Sequence, residues 1–543
     1  MKNELVYEVF IPTFKDGLKT GKGNFQGVIE KLTYLKDLGV TRIWLSPFYK
    51  SPFKDSGYDV ANYYEVNPEF GSLKDLEQLI KKAADLKISI VTDVVFNHTS
   101  DQHEWFQKAL QGDPKYIGFY IFKDPVNGGV PTNWKSKMGG STWEFVPQLN
   151  KYYLHLFAKE QPDLNWQNHE LRQELINVLQ FWKNKGIKGF RLDVCNLYDK
   201  PTIFEDDNLG DGRRFYTDGA NIEQYFKLMN QEVFSKVEDC FTVGEVSSTT
   251  KEKSAKYAKK HNQQLDSVFT FLHLKVDYVN NNKWTYAQPD LNIFWKLLKE
   301  WQEYYQQQDA ELALFMNNHD QPRAVSRFGD SANFWKESAT AIFGFTALMR
   351  GVPFLYQGEE IGMTNLDLDD LEKFVDVEST GHIPELLDNH SSADVLKILN
   401  SKARDNARSV MQWNQQRFAG FTESDQCHQY VNQNFLTINV ENQISNPDSI
   451  LNHYKKLINL RKTLKPLYEG TIEFFESLDY AYKRIYQNEE IWVLTNWTKV
   501  PKITELKNAE DHFEVVYNNY QTFDTQTLLP YQLVVLKKVS HEI

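Results

Sequence analysis

Several side chains in this sequence have the types and the spacing to break a covalent bond by nucleophilic and acid–base work. In "KGFRLDV", Lys188 to Val194, apolar Phe190, Leu192 and Val194 alternate with Arg191 and Asp193, which share one side of a strand. Buried charges are costly unless paired or employed. "DVVFNH" sets Asp93 ahead of Asn97 and His98, "TVGEV" holds Glu245, and "NNHD" closes on His319 and Asp320. One acid at a strand end serves equally well as a cap or an ion-pair partner. Four acids at four such ends (Asp93, Asp193, Glu245, Asp320), with arginine and histidine interleaved, call for chemistry. Adjacent strands run about 4.8 Å apart, so Asp193 and Glu245 can face one gap. Two carboxyl groups about 5–5.5 Å apart break a glycosidic bond with retention, one as nucleophile and one as acid/base. Arg191 favours the ionised form of Asp193. Glu245 has to keep a proton for the leaving oxygen, and Asp320 would face the positive charge of an oxocarbenium-like sugar.

Positioning these groups requires a sheet whose strands all end on one face. The β-branched runs "LVYEVFI", "RIWLSP", "ISIVTDVVF", "GFRLDV", "FTVGEV", "SVFTFLHL", "LALFMNN" and "VPFLYQG" alternate with segments such as "LKDLEQLIKKAADLK" and "HELRQELINVLQFWKNKG". In those segments apolar residues recur at three and four, as in amphipathic helices. Eight strand-then-helix units predict a TIM (β/α)8 barrel, an α/β fold with reactive residues at the C-terminal strand ends. A doubly wound sheet fits less well, because "GKGNFQG" misses the Gly-x-Gly-x-x-Gly spacing. The third unit is interrupted by about 70 residues rich in Trp, Tyr, Gly and Pro, too long for a bare loop. We therefore expect residues 1–98 and 167–465 to form the barrel, with a polar loop excursion at about 364–423, and 99–166 to form an inserted small domain. Short β-like runs from 466 to 543 predict a C-terminal antiparallel β domain.

Composition narrows the partners. A net charge of −12 argues against a nucleic-acid surface, and three cysteines in 543 residues make neither a disulfide framework nor a zinc spacing. No run reaches the roughly 18 apolar residues of a membrane span and the first residues show no apolar leader, so the expectation is a cytoplasmic monomer or weak oligomer.

The motifs "DVVFNH", "GFRLDV", "TVGEV" and "NNHD" resemble, in order, the four signature regions of the α-amylase family of glycoside hydrolases. "QPDLN", Gln161 to Asn165, resembles the fifth, in its oligo-1,6-glucosidase form. The resemblance implies Asp193 as nucleophile, Glu245 as acid/base and Asp320 as transition-state stabiliser, with His98, Arg191 and His319 around the first glucose. It further implies that Asp55 and Tyr58 of "KDSGYD" meet the nonreducing end, with Asp55 paired to Arg408 of "RDNARSVMQW". Phe157 packs either on that sugar or in the core, and Val194 is either a linkage-specificity residue or a barrel-layer valine. "GDGRRFYTDG", "TVGEVSSTT" and "HLKVDYVNNNKW" are similar to the members that hydrolyse trehalose 6-phosphate, with isomalto-oligosaccharides as the alternative substrates. A phosphate needs local cations in an acidic protein, and Lys275 and Lys283 follow the sixth strand. Many relatives carry an acidic metal loop near the N-terminus. Here "DGLKTGKGN", Asp16 to Asn24, keeps one acid and gains two lysines, so we expect no metal and no cofactor.

Overall fold

The eight β-branched runs become the staves of a (β/α)8 barrel in the computed structural model, which describes residues 3–504 and 512–539. The strands are β1 (Val6–Val9), β2 (Arg42–Leu45), β3 (Ser89–Val94), β4 (Gly189–Leu192), β5 (Phe241–Glu245), β6 (Ser267–Phe269), β7 (Ala313–Leu314) and β8 (Val352–Tyr356). All pair in parallel in the order β6-β5-β4-β3-β2-β1-β8-β7, and a bridge between Val268 and Leu312 closes the ring. Strands buried on both faces explain why these runs read as nearly continuous apolar stretches. The helices between them start on local caps. Ser72 and Asp75 form a reciprocal capping box for Leu73–Asp85, and Asn168 caps His169–Asn184.

Between β3 and helix His169–Asn184 the chain builds a small antiparallel sheet of Phe122–Lys123, Lys151–Leu154 and Trp143–Val146. The stretch read as a polar excursion carries two amphipathic helices, Val377–Asn389 and Ser392–Lys402, with Val395, Ile398 and Leu399 buried. At the C-terminal end, Thr471–Phe474, Ala481–Tyr486, Glu489–Thr495, Leu533–Lys538 and Phe513–Asn518 form an antiparallel sheet. The expected C-terminal range also takes in 505–511 and 540–543, which lie outside the described residues. A buried arginine of this sheet, Arg484, fastens it to the barrel by carbonyls, and a second, Arg461 of helix Ile450–Thr463, binds carbonyls of the barrel beside it. Arg484 donates to Leu348 O (2.7 Å), Leu467 O (2.9 Å) and Gly470 O (2.8 Å), and Arg461 to Ala347 O (2.7 Å) and Met349 O (2.9 Å). Burial lowers Arg484 to about 9 and Arg461 to about 10. Among the described residues no helix is long and apolar enough to cross a membrane.

Candidate functional site

Strand register brings the charges together. Arg191 on β4 stands opposite Asp93 on β3 and Val243 on β5. Asp193 and Glu245, each two residues further along, therefore reach the same inner face at the C-terminal mouth. Arg191 is 1% exposed and is the hub of the floor. Its Nη1 donates to Asp93 Oδ1 (2.9 Å) and Asp193 Oδ1 (2.6 Å), and its Nη2 donates to Glu245 Oε2. Two carboxyls on the two terminal nitrogens of one guanidinium are held within a few ångströms of each other. Asp93 is fixed in turn by Trp44 Nε1 (3.0 Å) and the Tyr58 hydroxyl (2.9 Å).

Arg191 does not act on Asp193 alone. Burial pushes the Asp193 carboxyl well above the usual carboxylate range, Arg191 pulls it down, and Glu245 and Asp93 push it up again. Three carboxyls around one guanidinium thus favour retention of a proton within the cluster. The backbone adds strain here: Val194 has φ 36° and ψ 42° and lines the pocket. A β-branched residue rarely adopts that conformation, which costs about 1–3 kcal/mol and clusters at functional sites.

His319 lies buried between stacked Tyr58 (5.2 Å) and Phe10 (5.8 Å), with Nδ1 bonded to Glu8 and Nε2 3.3 Å from Asp320 Oδ2. Burial opposes its charge, but Asp320 and Glu8 outweigh that and raise its pKa. Burial would likewise raise Asp320, yet His319, Arg404 and Arg408 hold it well below the carboxylate range. Arg404 Nη1 lies 3.2 Å and Arg408 Nη2 2.8 Å from Asp320 Oδ1. His98 donates from Nε2 to Tyr58 O (3.0 Å) and accepts at Nδ1 from Asn97 (3.1 Å), a neutral tautomer assigned from these partners. Burial lowers its pKa.

These groups converge on a pocket of about 190 Å³. Of the residues singled out in the sequence, Asp55, Tyr58, His98, Phe157, Asp193, Glu245, Lys275, Lys283 and Asp320 line it. Arg191 and His319 support it from beneath. Phe157 faces the cavity, 5.1 Å from the His98 ring.

The expected pairing of Asp55 with Arg408 is corrected. Asp55 Oδ1 accepts from Arg404 Nη2 (2.8 Å) and Asp55 Oδ2 from the Gln161 amide (3.1 Å). Arg408 is engaged elsewhere, by Ser56 Oγ (2.8 Å), Asp376 Oδ2 (2.6 Å) and Asp320, and lines a separate cavity behind the wall. Arg404 opens the turn Arg404–Ala407 and Arg408 follows it, and Asp376, which caps helix Val377–Asn389, binds both guanidiniums. Lys283 bonds Glu378 at 2.5 Å, so its charge is matched at the rim. Arg404, Lys137 and Glu378 line the pocket without having been singled out.

In the loop Asp16–Asn24 the one carboxylate accepts from Leu18 N (2.9 Å), Gly21 N (2.7 Å), Asn24 Nδ2 (2.7 Å) and Thr422 Oγ1 (2.6 Å). Those donors occupy its lone pairs. Among the described residues no group of three or more His, Cys, Asp or Glu is placed to hold a metal ion.

Comparison with known proteins points the same way. The alpha amylase catalytic domain matches residues 8–470. The chain is 40% identical to a trehalose-6-phosphate hydrolase of Bacillus subtilis, covering 99% of this chain and 98% of that one. It is 37% identical to an oligo-1,6-glucosidase of Bacillus cereus, covering 99% of each. The crystal structure of a trehalose-6-phosphate hydrolase of Bacillus licheniformis superposes with a TM-score of 0.93 at 41% identity, over 99% of both chains.

Proposed function

This chain belongs to the α-amylase family of glycoside hydrolases, and from that premise we propose that it hydrolyses trehalose 6-phosphate to glucose and glucose 6-phosphate with retention. The observation that carries the reading is that lysines and the paired carboxyls Asp193 and Glu245 line one pocket. Asp55 and Asp320 line another part of it, with Arg404 between them. The arginine charge there is already taken up by acids, so the cations open to a phosphate are on the lysine side and the unphosphorylated glucose fills the other end. Phosphate therefore rides on the departing sugar.

The reaction requires the proton held in the carboxyl cluster on Glu245 and Asp193 ionised. Asp193 attacks the anomeric carbon as Glu245 protonates the glycosidic oxygen; the C–O bond breaks, a glucosyl-aspartate ester forms, and glucose 6-phosphate leaves. Glu245 then takes a proton from water, whose oxygen attacks the same carbon, freeing glucose and restoring Asp193 and Glu245. Asp320, kept anionic by its arginines, stabilises the oxocarbenium-like sugar between the two steps. The buried His319 Nε2, which has no hydrogen-bond partner among the described residues, is available to a sugar hydroxyl.

The matched charge of Lys283 favours a second reading, hydrolysis of neutral isomalto-oligosaccharides. One assay decides between them: trehalose 6-phosphate, trehalose, isomaltose and sucrose side by side, with glucose and glucose 6-phosphate measured separately. The proposal expects glucose 6-phosphate from the first at a kcat/KM far above that for isomaltose. The reverse order would establish the second reading.

A further inference from the structure

We infer that Lys137, acting with Lys275, grips the phosphate of the departing sugar; this rests on the proposed trehalose 6-phosphate hydrolysis. Lys137 comes from the segment between β3 and β4, far in sequence from the carboxyls, and its backbone N–H is tied to Leu156 O (2.9 Å). Its side chain crosses the face of Phe157, with Nζ 5.2 Å from the ring centroid. The ammonium ends 3.3 Å from Ser247 Oγ. Ser247 lies two residues past Glu245, and Asn196 Oδ1 fixes its backbone N–H (2.9 Å). A proton donor has to touch the glycosidic oxygen, so a cation standing just past Glu245, away from Asp55 and Arg404, faces the leaving group.

Lys137 and Lys275 both line the pocket, and among the described residues neither forms an ion pair with a carboxylate. Arg213 adds to the positive field, although its own guanidinium is bound by Asp211. Burial, with repulsion from Arg213 and from Lys275, lowers Lys137 to about 8; burial and Arg213 do the same to Lys275. Lys137 and Lys275 crowd beside Arg213, and Glu245 and Asp211 attract Lys137 without a direct ion pair, a costly arrangement that a phosphate dianion relieves. Lys283 differs, because Glu378 already answers it.

The test is steady-state kinetics on the full chain with trehalose 6-phosphate and with neutral p-nitrophenyl α-glucoside. Methionine keeps the apolar stem over Phe157. Lys137→Met should lower the ratio of kcat/KM for the phosphorylated over the neutral substrate about 10- to 100-fold, chiefly through KM, the size of a lost charge-assisted hydrogen bond. Lys137→Arg should recover most of that loss. Inorganic phosphate, as inhibitor of neutral-glucoside cleavage, should bind Lys137→Met more weakly by a similar factor. A wild-type preference for trehalose 6-phosphate that Lys137→Met leaves within about twofold overturns the inference alone. A wild type without that preference overturns the substrate reading and the inference together.

Discussion

The floor and the rim of the pocket treat charge in opposite ways. On the floor, Arg191 is paired with Asp93, Asp193 and Glu245, and Asp320 is shared between Arg404 and Arg408. At the rim, Lys137 and Lys275 line the cavity without a carboxylate partner among the described residues. Matched charges on rigid strand ends fix geometry, which is what bond-breaking needs. Unmatched charges on loops hold a vacancy of sign, which is what recognition of an anion needs. The contrast predicts that floor substitutions remove turnover on every substrate, whereas rim substitutions discriminate between substrates.

The largest effect should come from the floor. Asp193→Ala should cut kcat about 10⁴- to 10⁶-fold on phosphorylated and neutral substrates alike, while Arg191 keeps Asp93 and Glu245. A loss under about a hundredfold in single-turnover assays would break the comparison, because Asp193 would then not be the nucleophile.

The Asp55 end of the floor comes next. Arg404 serves Asp55, Asp320 and Asp376 at once, and its side chain is 8% exposed. Arg404→Met leaves Asp55 facing only the Gln161 amide. Equilibrium denaturation should show a loss of about 3–5 kcal/mol, together with lower kcat/KM on both substrates. A change confined to the phosphorylated substrate would move Arg404 from floor to rim.

The smallest effect belongs to the rim and is read by pH. Both lysines are lowered to about 8, so their ammoniums are charged below that pH and neutral above it. The ratio of kcat/KM for trehalose 6-phosphate over a neutral glucoside should therefore fall above pH 8, by up to about tenfold per unit for each lysine. Stability moves the other way. Between about pH 8 and the ordinary lysine value the unfolded chain binds more protons than the folded one, so the penalty from these lysines shrinks as pH rises. A flat ratio across this range would place the phosphate elsewhere.

The floor was far more legible in the sequence than the rim. Asp93, Arg191, Asp193, Glu245 and Asp320 sit at the ends of β-branched runs, where strand period and barrel geometry dictate which way a side chain points. The rim depends on long-range packing. Lys137 matters because the Phe157 ring and Ser247 steer its ammonium, and no local spacing encodes that. Arg404 and Arg408 were separable only by the turn between them, which sends the first to Asp55 and the second to Ser56. Helix Val377–Asn389 was hidden by Pro384 and a mostly polar face, and with it Glu378. The strand Phe513–Asn518 is an edge strand with few buried positions, joined to Leu533–Lys538 through a register shift, so its residues carry little apolar alternation.

Val194 carries a consequence for how this enzyme could be altered. Selection for heat resistance alone would push that position toward glycine or asparagine, which accept a left-handed backbone at little cost. Val194 adjoins Asp193, so the same change would also relax the backbone that directs that carboxyl. The positive φ therefore predicts that Val194→Gly gains thermal stability and loses kcat, read by denaturation and steady-state kinetics.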